Sequence, residues 1–179
     1  MAHLTWPFPA REEAAGDDDD DDDELERIGT RYDGETDPDP EAWRKAGDDD
    51  NRLAIERHHR RDRPHDPVPS LMAHSVMHLL VENEIAANNP PETRRALERL
   101  RAGGLSRHDA IHAIAAVLAE EMFGMLQRGR EPDLARYGRA LEALDAESWK
   151  AGRISPSVGP DEPQGSPPRR KRKPARRRR

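Results

Sequence analysis

The stretch SLMAHSVMHLLVENEIAA, residues 70–87, decides the fold class. Ser70 can cap a helix, because its hydroxyl accepts a backbone N–H that the first helical turn leaves without a partner. Neither proline nor glycine interrupts the chain from Leu71 to Ala87, and Asn88-Asn89-Pro90-Pro91 then breaks it. At 100° per residue, Leu71, Val81 and Ile85 share a side with His74, His78 and Glu82. Met72, Val76, Leu79 and Leu80 lie opposite. A helix apolar on both sides is one buried between neighbours.

Working outward, the C-terminal side reads as three more helices. Asn89 is expected to cap the next one, with Pro90 at the first helical position and Glu92 at the third. Gly103-Gly104 ends it, since glycine takes the left-handed conformation cheaply. Ser106 caps a helix with Asp109 at its third position, running to about Gln127 with Gly129 as terminator. A last helix is expected from about Glu131-Pro132 to Lys150, with Leu134, Tyr137, Leu141 and Leu144 on one apolar face. On the N-terminal side, Asp39-Pro40-Glu41 is a helix start that carries Trp43. A second short helix runs from about Asp50 to Arg61, anchored by Leu53 and Ile55. The prolines of Arg63 to Pro69 stop it. No alternating β-branched run occurs. The expected fold is all-α: a small bundle of four core helices with one or two short leading helices.

Charge divides the chain. Residues 1–50 hold 19 acidic and 5 basic residues, and Asp17 to Asp23 is an unbroken aspartate run. Residues 169–179 hold 9 basic residues and no acidic one. Such like-charged segments repel themselves and bury little. Leu, Ile, Val and Phe make up 27 of 179 residues overall but 19 of 83 between Val68 and Lys150, so the core belongs there. The expected organisation is a disordered acidic tail over 1–36, a helical domain over 37–150 with its core at 68–150, and a disordered basic tail over 151–179.

The absence of cysteine excludes disulfides, thiolate metal sites and thiol catalysis. Residues 1–16 carry no apolar leader segment, and the most apolar stretch, Ile111 to Leu126, is broken by Glu120 and Glu121. A cytoplasmic protein without a membrane span is expected. No glycine-rich phosphate loop and no Gly-x-Ser-x-Gly elbow is present, so the sequence names no catalytic residue.

The chemistry-bearing pattern is histidine. His74 and His78 are four apart on one expected helix, and His108 and His112 are four apart on another. Side chains at i and i+4 lie one turn apart on the same face. Each pair can therefore present two imidazoles to one metal ion, and two pairs on facing helices supply four nitrogens, or three with an open position. Glu82 extends the first row by one turn as a fifth ligand, an acceptor for an imidazole N–H, or a general base. Zinc suits four neutral imidazoles, with iron as the alternative if carboxylates join. The other reading is four histidines satisfied within a core or an interface. His58, His59 and His65 lie in a basic, proline-rich stretch and read as exposed.

The segments HSVMHLLVENEIA (74–86), PPETRRALERL (90–100) and GLSRHDAIHAIAAVLAEEM (104–122), with DPDPEAW and ERHHRR upstream, carry a resemblance. Over about residues 37–128 the chain resembles the bacterial domain-of-unknown-function family numbered 1841. The resemblance implies a helical bacterial domain in which the histidines matter, and no particular reaction. It also implies two departures: Glu84 stands where glutamine is usual, and Ala116 where some members carry glutamate. If that glutamate were a ligand, this chain would lack it.

The basic tail, Arg169 to Arg179, supports a different class of function. Its charges can neutralise phosphates without sequence preference, and no aromatic residue is interleaved to stack on bases. The alternative to a metal protein is thus a helical interaction module whose tail binds nucleic acid or an acidic partner.

Overall fold

The computed structural model describes residues 31–62, 68–129 and 131–152. The Asp17–Asp23 run, His65 and the basic tail lie outside the described residues. Among the described residues the chain forms seven helices and no strand. These are α1 (Pro40–Ala46), α2 (Asp48–Asp62), α3 (Leu71–Ala87), α4 (Pro91–Ala102), α5 (Arg107–Arg128), α6 (Leu134–Ala143) and α7 (Ala146–Lys150). None is long and apolar enough to cross a membrane.

Five of these helices begin at a short polar side chain that caps them. Asp39 accepts the Ala42 N–H, Ser70 that of Ala73, and Ser106 that of Asp109. The two sides of α3 bury into two separate clusters. Met77, Val81 and Ile85 pack with Leu97 and Leu100 of α4, Ile111 and Ile114 of α5, and Tyr137 and Leu141 of α6. Leu79, on the other side, packs with Tyr32, Trp43, Ala54 and Ile55 from the N-terminal elements. This is the double burial that the apolar pattern of α3 requires.

Three local expectations change. Asn89 does not cap α4. Asn88 takes the left-handed conformation (φ 49°), and the N–H groups of Asn88 and Asn89 close the end of α3 on Ile85 O and Glu84 O. Pro90 occupies the cap position and Pro91 is the first helical residue. The last helix is two helices. Asp133 caps α6 through the Arg136 N–H, and Asp145 caps α7 through the Ser148 N–H. Arg99 meets the end of α6 by donating to Leu141 O (2.6 Å) and Leu144 O (3.1 Å). Leu134, placed by periodicity on the apolar face, is 71% exposed because α6 begins there.

The third change matters for the site. Composition alone puts most of the segment from Arg31 to Asp39 in the acidic tail. It instead crosses the bundle beside α3 and the start of α5, with Tyr32 and Gly34 buried.

Candidate metal centre

Three helices bring five imidazoles together. α3 supplies His74 and His78, α5 supplies His108 and His112, and α2 supplies His59. One ring nitrogen of each lies within 4.8 Å of the corresponding atom of every other. Four of the rings are buried, and His112 is half-buried. The i, i+4 pairs behave as their spacing dictates, with ring centroids 4.6 Å apart for His74 and His78 and 4.3 Å for His108 and His112. The pairs face each other across the α3–α5 contact, with His78 and His112 rings 4.8 Å apart.

His59 completes the group and escaped the sequence reading, as did the burial of its neighbour His58. Both are less than 10% exposed. Arg57, Arg60 and Arg61 make this stretch look solvated. The usable signal is Ile55, an apolar anchor one turn before His59 and therefore on the same face. His58 stays outside the group: its Nδ1 pairs with an Asp62 carboxylate oxygen at 2.9 Å.

Hydrogen bonding fixes the form of His59. Its Nδ1 lies 2.8 Å from Ile55 O. Only an N–H can satisfy a carbonyl, so Nδ1 carries a proton and Nε2 is the nitrogen that faces inward. Metal-binding histidines are commonly oriented through a backbone carbonyl in this way. Two more Nε2 atoms surround that nitrogen, His74 at 3.0 Å and His108 at 3.2 Å. Nitrogens bound to one ion at about 2.0–2.1 Å stand about 2.9 Å apart at right angles and about 3.4 Å apart in a tetrahedron. These two edges fall within the spacing of ligands around a single ion.

His78 is the most telling member. It is fully buried, and neither ring nitrogen has a hydrogen-bond partner. A polar ring left so is costly unless something else takes its lone pair. Burial, and then the neighbouring His112, His74, His59 and His108, hold its pKa well below the ordinary histidine value. It is therefore neutral and ready to ligate.

The same shift gives a pH dependence. A histidine whose pKa falls on folding binds its proton in the unfolded chain first. The stability it contributes is complete above the unfolded value of about 6.5 and is lost as pH drops below it. With metal removed by chelator, stability should fall from pH 7 to pH 5 by up to about 1.4 kcal/mol per pH unit from this one group. Urea midpoints at pH 5, 6, 7 and 8 check this, and His78→Leu should flatten the slope.

Glu82, the extra candidate on the α3 row, is not among the five. Its carboxylate receives both terminal nitrogens of Arg107, each at 2.7 Å, and the Tyr32 hydroxyl at 2.8 Å. Burial opposes the Arg107 charge, but Glu82 outweighs it and keeps the guanidinium pKa above its usual value. Arg107 also ties down the crossing segment, donating to Gly34 O (3.2 Å) and to Asp37 Oδ1 (2.6 Å). Gly34 thereby lies against the centre. A Cβ there would sit 2.9 Å from His108 Cδ2 and 3.2 Å from His58 Nε2, so only glycine fits without displacing a ring.

A family model described as Domain of unknown function (DUF1841) matches residues 49–143, more than half of the chain. The match takes in all five histidines. No curated protein and no solved structure matches the chain.

Proposed function

The chain belongs to the DUF1841 family, and we propose that it is a metal-binding helical protein whose centre is built by His59, His74, His78, His108 and His112. The observation that carries this reading is the convergence of five ring nitrogens within 4.8 Å inside the bundle. The donor set favours zinc. It consists of imidazoles alone, with neither thiolate nor carboxylate in the group. Iron with mixed nitrogen and oxygen ligation would need a carboxylate, and Glu82, the nearest on the α3 row, is held by Arg107. Four buried imidazoles suffice for a tetrahedral ion. His112 is the least buried of the five and marks the side from which an exchangeable ligand would approach.

Elemental mass spectrometry of the untagged full-length chain tests the reading. The expected result is near-stoichiometric metal, zinc foremost. His74→Ala/His112→Ala, which takes one ligand from each pair, should carry none while remaining helical. A folded wild-type chain that stays metal-free after dialysis against zinc, iron, cobalt, nickel and copper would overturn it.

A further inference from the structure

We infer that the protein has a second, separate binding site, for a small organic carboxylate with an apolar body. A cavity of about 500 Å³ is lined by both members of the Glu82–Arg107 pair and by none of the histidines. Its size falls in the range of small-molecule sites, which combine apolar walls with a few placed polar groups. Trp43, Ile85 and Leu97 supply the apolar wall, and Arg101 and Arg107 lie in the same lining.

Asp37 shows what the polar end accepts. Its carboxylate bridges the two arginines, taking the Arg107 Nε–H at 2.6 Å on one oxygen and an Arg101 N–H at 3.1 Å on the other. Burial would raise its pKa, but the two guanidinium groups outweigh that and lower it, so the group there is an anion. The two arginines differ in kind. Arg107 has no exposed side-chain surface and is fixed by Glu82, so its Nε–H is aimed in advance. The Asp37 side chain is 62% exposed, and that of Arg101 is 44% exposed. The Asp37–Arg101 pair, exposed on both sides, holds weakly.

Asp37 thus occupies the anion position as a stand-in supplied by the chain itself. A ligand carboxylate can replace it on the same two donors while the rest of the ligand covers the Trp43, Ile85 and Leu97 wall. Planar two-point recognition of this sort is what guanidinium groups provide for carboxylates.

The test uses the full-length chain and 4-phenylbutyrate as probe, followed by 1H–15N NMR. Two controls each lack one half of the recognition: 4-phenylbutanol lacks the charge, and acetate lacks the body. Phenylbutyrate is expected to give saturable shifts at residues around the cavity, with both controls weaker by about tenfold or more. Asp37→Asn, which removes the competing anion, should tighten phenylbutyrate by about threefold or more. Arg101→Gln, at an exposed position that does not threaten the fold, should weaken it by about tenfold. Three results would overturn the inference: no saturation up to about 10 mM, an alcohol that binds as well as the acid, or an Arg101→Gln chain that binds phenylbutyrate unchanged. None of these results depends on metal, so the outcome stands apart from that of the histidine centre.

Discussion

Glu82→Ala is expected to destabilise the chain by about 3–5 kcal/mol, the cost of removing one member of a buried ion pair. The Arg107 side chain has no exposed surface and that of Glu82 has 1%. Removing the carboxylate takes the partner from both terminal nitrogens of a guanidinium with no exposed surface, leaving it Asp37 on Nε and the Gly34 carbonyl, and it takes the acceptor from the buried Tyr32 hydroxyl as well. Glu82→Leu/Arg107→Met should recover most of the loss, because exchanging the whole pair for apolar groups strands no charge. Urea denaturation of the three chains measures both steps. A loss below about 1 kcal/mol in Glu82→Ala would mean that water reaches Arg107. Metal content of the double variant separates two roles for Glu82. A carboxylate that only braces Arg107 can be exchanged with its partner without loss of metal. A ligand cannot.

That pair also shows where reading the sequence stops. The His74, His78, Glu82 row follows from helical spacing alone, and α3 does place all three in the interior. What spacing cannot supply is the partner. Arg107 lies 25 residues away on another helix, next to a histidine of the metal group. Nothing in the local pattern sends Glu82 toward a guanidinium rather than toward an imidazole. The capping of α3 and α5 was legible for the opposite reason, since Ser70 and Ser106 act on N–H groups three residues away. The break between α6 and α7 was hidden because the apolar spacing from Leu134 runs to Leu144, its very edge, although Asp145 offers the same kind of local cap signal. The break depends on Arg99 of α4, which meets the last carbonyls of α6 from outside.

His59 was hidden by composition. Arginines surround it, and two of them, Arg60 and Arg61, do point to solvent. A helix can expose those two and bury His58 and His59, because 100° separates one residue from the next. The overall polarity of the stretch hides which face each residue takes. The segment from Tyr32 to Asp37 was obscured in the same manner, by acidic neighbours. Its order rests on a few contacts with Arg107 and Glu82, not on a run of apolar residues.

The other large effect expected is a metal-dependent one at His78. Without metal, this ring is a buried polar group with no hydrogen-bond partner on either nitrogen. Leucine has a similar volume and needs no partner, so His78→Leu should stabilise the metal-free chain by about 1–3 kcal/mol. With metal, the advantage of leucine shrinks. An ion at about 1,000 times its dissociation constant stabilises the wild-type chain by about 4 kcal/mol. His78 stands amid the other four imidazoles, all of which act on its charge. Losing it should cost at least the about tenfold in affinity that follows loss of a mere outer partner of a ligand. The stabilisation by metal then shrinks by about 1.4 kcal/mol or more. Thermal unfolding of both chains, with excess zinc and with chelator, reads the four states. The variant should be the more stable chain under chelator and should gain distinctly less from zinc. Equal destabilisation under both conditions would make His78 an ordinary packed residue and would remove the central ligand from the site. A gain without metal joined to a smaller gain from zinc identifies an imidazole kept in the core at the expense of folding, and the use of its lone pair is then the reason it is there.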